Sequence, residues 1–224
     1  MGLKDGCYKS VAISKGEPSI CDKIQNKDTI DWCYKEIAAS KMNPEICGKI
    51  QTKQIKNGCY TNIAVSMEDI SICDKTVTDD EKYYCRAMVK KDASICENMQ
   101  YNTRCYNGVA IRKGDSSICD KIEYQERKDS CYKSVAISKL DPLICDKIQN
   151  QEIKNRCYKN IAIDKSDKSI CDRIKSAYLK DQCYEAVEPE ADSSKADSSV
   201  CEKIQIPYFR DDCYKNIAIT KGEP

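Results

Sequence analysis

A cysteine alternation constrains this chain more than any other feature. Taking alternate members of the series as A and B, the A cysteines are Cys7, Cys33, Cys59, Cys85, Cys105, Cys131, Cys157, Cys183 and Cys213. The B cysteines are Cys21, Cys47, Cys73, Cys96, Cys119, Cys145, Cys171 and Cys201. A-to-B steps of 14 alternate with B-to-A steps of 12, so the unit is 26 residues long. The wording recurs with the spacing: CYKSVAISKGEPSICDKI at Cys7 to Ile24 returns as CYKSVAISKLDPLICDKI at Cys131 to Ile148. Self-similarity at a fixed period overrides length as a guide to domain count, and the 224 residues read as a single repeat array over 1–224.

The repeat has little conventional core material. Hydrophobic residues make up 41% of the chain, but that share includes 17 cysteines and 14 tyrosines, against one Phe and one Trp. A short unit so poor in large apolar side chains buries too little surface to offset chain entropy, so covalent staples are expected. Regularly spaced cysteines in such a chain read as a disulfide framework made in an oxidising, extracellular or cell-surface compartment. The alternative is a set of buried, reduced thiols serving as small hydrophobes.

The pattern around each A cysteine is helical. Four residues after it stands a β-branched residue, usually followed by Ala, as in Val11 and Ala12, Ile37 and Ala38, or Ile161 and Ala162. Four residues before it another apolar residue is common, as at Leu3, Ile55 and Ile153. Together these positions form one helical stripe. Asn26, Thr52, Thr78, Asn150 and Ser176 are placed to cap the start of this helix. Gly16, Gly114 and Gly222 suit the left-handed residue that ends it. A second capping column follows, four residues before each B cysteine: Glu17, Asn43, Asp69, Asp92, Asp115, Asp141, Asp167 and Asp197. It opens a short helix of roughly two turns that cannot persist alone in water. The expected fold class is therefore all-α, an α/α solenoid of disulfide-stapled helical hairpins with nine long and eight short helices.

Helix boundaries discriminate between cysteine partners. A disulfide needs Cα atoms about 4.4–6.8 Å apart, so its ends must sit at similar heights in an antiparallel hairpin. At about 1.5 Å per residue, Cys21 and Cys33 match in height, whereas Cys7 and Cys21 do not. Indels agree, because A-to-B steps take values of 11, 14 and 18 while B-to-A steps depart from 12 only once. The predicted pairs are Cys21–Cys33, Cys47–Cys59, Cys73–Cys85, Cys96–Cys105, Cys119–Cys131, Cys145–Cys157, Cys171–Cys183 and Cys201–Cys213, with Cys7 left over. Each bridge contributes about 3 kcal/mol in the chain-entropy picture. Two units are irregular: the one from Cys85 to Cys105 is short, which predicts a kink or repacking, and the one after Cys183 carries a polar loop insertion at 188–197. The closing ITKGEP stops where ISKGEP of the first unit continues, which reads as a fragment of a longer array.

Several function classes find no support in the residues. There is no histidine, which removes the usual catalytic triads and the commonest metal ligand. CxxC pairs and phosphate-cradling glycine loops are also missing. No catalytic residue, metal ligand or cofactor is assigned. Lys plus Arg is 37 and Asp plus Glu 36, with the signs interspersed, which argues against a broad basic face for nucleic acid or anionic lipid. No window is apolar enough for membrane insertion. The Tyr column beside the A cysteines (Tyr8, Tyr34, Tyr60, Tyr106, Tyr132, Tyr158, Tyr184, Tyr214) reads as inter-repeat packing. The Asp–Lys pair after the B cysteine, as in Asp22 and Lys23, reads as a solvated helix face.

The repeat CYxxVAIxKxDxSICDKI resembles the cysteine-rich helical repeats of uncharacterised surface proteins from archaea and uncultured bacteria. More distantly it is similar in logic to cysteine-rich Sel1-like repeat proteins, although its period is shorter and their motif is not reproduced. The resemblance covers essentially the whole chain and brings no activity with it. The expectation is a non-catalytic extracellular or cell-surface module that binds an unknown protein or glycan, or acts as a spacer. The alternatives are a free-thiol metal-sequestering or redox protein and a purely structural stalk. The binding residues are unassigned.

Overall fold

The computed structural model describes residues 3–187, 201, 202, 204, 207, 210, 211 and 213–215. The expected loop at 188–197 and the turn at Gly222 lie outside these residues. The fold is an all-α repeat solenoid, with no strand among the described residues. The long helices are Leu3–Lys15, Lys27–Lys41, Lys53–Met67, Asp79–Lys90, Thr103–Lys113, Gln125–Lys139, Gln151–Lys165 and Ala177–Val187. Between them run the short segments Pro18–Lys23, Pro44–Cys47, Ile70–Lys75, Ala93–Asn98, Ser116–Lys121, Pro142–Cys145 and Lys168–Arg173.

By internal contact the chain forms two compact units, Met1–Lys113 and Gly114–Pro224. In the first, consecutive long helices pack against each other from Leu3–Lys15 through to Thr103–Lys113. In the second, Gln125–Lys139 packs on Gln151–Lys165, which packs on Ala177–Val187. Each short segment wedges against the long helix that follows it. In each unit the core is a thin line of repeated positions: the cysteines, Ile37, Ile63, Val109, Val135 and Ile161 four residues after the A cysteine, and the Ala that follows each. The alanine methyl there is small enough to let neighbouring helices approach closely. Ile24, Ile50, Ile122, Ile148 and Ile174, three residues after the B cysteine, close the line from the short segment.

The short segments differ from the sequence expectation. Five of them are six-residue 3₁₀ turns, and the other two are single four-residue α turns opened by Pro44 and Pro142. They are closed by three-residue hydrogen bonds, as from Ile24 N to Cys21 O at 3.1 Å and from Ile50 N to Cys47 O at 3.2 Å. A segment pinned between a cap and a disulfide is too short to propagate an i→i+4 ladder, and the tighter turn satisfies its backbone in fewer residues.

The regular long helices from Leu3–Lys15 to Gln151–Lys165 end the same way. The residue nine positions after the A cysteine is left-handed, and the next residue donates back into the helix, as from Asn43 N to Ala38 O at 3.0 Å and from Asp141 N to Ala136 O at 2.9 Å. Glycine supplies the left-handed residue only at Gly16 and Gly114; Met42, Glu68, Lys91, Leu140 and Ser166 supply it elsewhere with φ of 51–54°. The next residue then caps the short segment, so one position closes one helix and opens the next. Asn43, Asp69, Asp92, Asp115, Asp141 and Asp167 accept from the backbone N–H two residues on. Glu17 does not, and Thr52 makes no side-chain cap either, which corrects the expectation at those two positions.

The short unit keeps this logic by losing residues in two places. Lys91 is the left-handed residue and Asp92 N bonds Ala87 O at 3.1 Å, so Ala87 holds the place of the alanine that elsewhere stands five after the cysteine. Three residues are gone between cysteine and alanine, close to one helical turn, and the inward face is preserved.

Candidate functional site

The predicted cysteine partners lie together in the structure as Cys21–Cys33, Cys47–Cys59, Cys73–Cys85, Cys96–Cys105, Cys119–Cys131, Cys145–Cys157, Cys171–Cys183 and Cys201–Cys213. Their Cα atoms are 5.5–5.9 Å apart. Cys7 is free and exposed on the helix Leu3–Lys15. Each bridge from Cys21–Cys33 to Cys171–Cys183 joins a short segment to the long helix that follows, so the repeat is stapled internally and its neighbours are held without covalent bonds.

Beside the bridges runs a second rung that sequence reasoning did not foresee. In four repeats the Asp after the B cysteine accepts a hydrogen bond from the tyrosine after the next A cysteine: Tyr34 O–H donates to Asp22, Tyr132 to Asp120, Tyr158 to Asp146 and Tyr184 to Asp172, whereas Gly48 after Cys47 has no side chain to take part. These tyrosines are buried, as packing predicts, but the Asp of the Asp–Lys pair is more than part of a solvated face. Where Arg86 replaces the tyrosine, its Nη2 donates to Asp74 at 2.6 Å and an ion pair stands in for the phenol. Burial, followed by the bond to and charge of Asp146, pushes the Tyr158 phenol up to about 12, with Arg173 pulling it partly back. Burial and the partner carboxylate raise Tyr34, Tyr132 and Tyr184 in the same way.

A third repeated contact links successive repeats. Two residues before the A cysteine, Asp31 accepts from Gln51 N at 2.9 Å and Thr52 N at 2.8 Å, in the loop that opens the next long helix. Asp5 does the same for Gln25 and Asn26, and Asp129 for Gln149 and Asn150. Asn57 and Asn155 make the single-bond version, to Val77 N at 2.9 Å and Lys175 N at 3.1 Å. Asp31 is 2% exposed. Burial pushes its carboxyl up, but the Thr52 side chain, the two backbone N–H groups and Lys56 outweigh that and hold it below the usual carboxylate range. The signal was in the sequence, since Asp or Asn fills this column at 5, 31, 57, 129, 155, 181 and 211. It was hidden because short polar residues inside a helical pattern ordinarily read as its solvent face.

In both units cations cover the tyrosines. The basic residue two after a B cysteine covers the tyrosine of the preceding repeat: Lys49 Nζ is 5.3 Å from the Tyr34 ring centre, Lys147 Nζ 5.6 Å from Tyr132, and the Arg173 guanidinium 5.8 Å from Tyr158. Lys75 pairs with Glu45 next to Tyr60. A second cation, three before the A cysteine, reaches the backbone carbonyl of the rung aspartate: Lys154 Nζ donates to Asp146 O at 3.0 Å and Lys180 Nζ to Asp172 O at 3.4 Å. In the second unit this arrangement lines an open cleft of about 420 Å³ between Asp146, Gln151, Lys154, Tyr158, Arg173 and Lys175. The interspersed charges of the sequence are thus sorted by column in the fold.

Among the described residues no cluster of three or more metal-ligating side chains forms, and no helix is long and apolar enough to cross a membrane. No family model matches this chain, and neither a curated protein nor a solved structure is similar enough to match it.

Proposed function

We propose that this protein is a non-catalytic interaction scaffold or spacer of the extracellular space or cell surface. The observation that carries this reading is the use of sixteen of seventeen cysteines in eight bridges, each inside one repeat. Such a chain needs an oxidising compartment to mature, and its staples stabilise a scaffold whose apolar core is thin. The likeness of its repeat to those of cysteine-rich surface proteins points the same way. A solenoid offers the same side chains at a regular interval, an arrangement suited to extended protein or glycan partners.

The metal-sequestering and redox alternative needs free thiolates, and the bridges leave only Cys7. Thiol titration of the native protein separates the two readings: about one reactive thiol per chain fits the scaffold, and several would overturn it. Binding to an array of surface proteins and glycans then separates a scaffold from a stalk, since a stalk retains nothing.

A further inference from the structure

The cleft of the second unit has the make-up of a binding site for a particular kind of ligand. Three cations, Lys154, Arg173 and Lys175, face one carboxylate, Asp146, whose charge is shared with the Tyr158 hydroxyl and with Arg173 Nη1 at 3.5 Å. Lys175 has no carboxylate partner among the described residues. Gln151 and Asp146 add a neutral amide and an acceptor at the same rim. The net character is cationic, with hydrogen-bonding groups of both kinds between the charges.

The cations repeat. One repeat earlier, Lys128 and Lys147 occupy the positions of Lys154 and Arg173, and one repeat later Lys180 occupies that of Lys154. The helices that carry them pack side by side, so the row advances by about 8–10 Å per repeat, the usual distance between packed helices. That interval suits an extended polyanion better than a single small anion. In the short irregular repeat both cation positions are asparagine, Asn98 and Asn102, and in the first unit Ile30 stands at the place of Lys154, so the complete row belongs to the repeats around the cleft.

The cleft also discriminates among polyanions. The Tyr158 ring is buried and covered by Arg173, so it offers no open aromatic face on which a base can stack. No aliphatic side chain lines it, so it lacks the apolar anchor pocket that peptide partners use. Hydroxyl groups flanking a carboxylate fit the Gln151 and Asp146 rim, and the disulfides place the protein where acidic polysaccharides occur. We propose that this cleft, with the cation row on either side, binds an acidic polysaccharide through its sugar carboxylates. The inference rests on the interaction-scaffold reading and names its ligand class.

The test is fluorescence anisotropy of a labelled oligogalacturonate titrated with the intact, oxidised protein, alongside the neutral oligogalactose, polyglutamate and a single-stranded DNA of equal charge. The oligogalacturonate binds, more weakly as salt rises, and the other three bind at least tenfold less tightly. Arg173→Glu lowers its affinity roughly tenfold, and Lys175→Glu lowers it too. Lys165→Glu, an equal charge change outside the cleft, alters it less than twofold, and circular dichroism verifies that all three variants fold. Equal losses in the Arg173 and Lys165 variants, equal binding of DNA or polyglutamate, or no binding of the oligogalacturonate would each overturn the proposal. Retention of a different partner on the surface-protein array would in that case leave the scaffold reading standing, while an empty array would leave only the spacer.

Discussion

Replacing Asp31 by alanine removes the hydrogen bonds that tie the helix Lys27–Lys41 to the loop opening the next long helix, and leaves the helix packing in place. The Asp31 carboxylate takes two backbone N–H bonds, from Gln51 at 2.9 Å and Thr52 at 2.8 Å, and is itself 2% exposed. A hydrogen bond to a charged group contributes about 1.5–3 kcal/mol, and an amide left unpaired costs about 1–3 kcal/mol. Gln51 is exposed and Thr52 half-buried, so water recovers part of the loss, which brings the expected cost to about 2–3 kcal/mol. Asp31→Asn should cost only about 1 kcal/mol, because Asn57 and Asn155 already make the one-bond version in this chain. Denaturant unfolding with the bridges intact measures the total, and amide exchange at Gln51 and Thr52 locates it. The acid limb provides a further check. The folded pKa of Asp31 is lowered, so its contribution is present in full above the unfolded value near 4 and is lost as pH falls through the folded value. The alanine variant should therefore lose less stability on acidification than the parent. A cost below about 0.5 kcal/mol, within the range of ordinary surface substitutions, or an asparagine variant as damaged as the alanine one, would refute this account of the inter-repeat contact.

Leu140 is left-handed at φ 52° and exposed, so Leu140→Gly should raise stability by about 0.5–1 kcal/mol, the backbone strain relieved less the extra chain entropy of glycine. Gly114→Ala, at φ 66°, should lower it by about 1 kcal/mol; thermal unfolding reads both, and equal effects of one sign would contradict the helix-end geometry. Alkaline titration should find a group of tyrosines that ionise above an ordinary phenol, Tyr158 near 12 among them. Because these folded pKa values are raised, the stability they contribute is complete below about pH 10 and is lost as pH climbs towards 12. Tyrosinate absorbance should therefore rise together with loss of the helical signal, and uniform ionisation near pH 10 in a folded chain would contradict the tyrosine–aspartate rung. Tyr158→Phe should cost about 1 kcal/mol in urea unfolding, because Asp146 is solvent-accessible enough to find water instead.

The long helices were legible because their apolar stripe and caps repeat, and repetition averages out a local exception such as Tyr124, which stands in the capping column without a side-chain cap. The bridge partners were legible because a disulfide demands equal height in a hairpin, a condition that helix boundaries set. The form of the short segments was not legible, since Ile20, Cys21 and Ile24 satisfy α and 3₁₀ spacing almost equally over six residues. The left-handed column was half visible, as glycine marks it at 16 and 114, whereas Met42 and Leu140 carry no such mark. The tyrosine–aspartate rung joins residues 12 apart whose separate readings, packing and solvation, were each only part of their role. The cation row escaped notice because net charge and interspersion describe the chain as a line, while the fold brings positions from neighbouring repeats to one face.

The account stands on the pairing of each short segment with the long helix after it. Peptide mapping of the native, alkylated protein under non-reducing conditions tests that claim most directly. The expected map contains Cys21–Cys33 and its seven counterparts, with Cys7 alkylated. A Cys7–Cys21 or Cys33–Cys47 peptide, or alkylation spread over many cysteines, would contradict it.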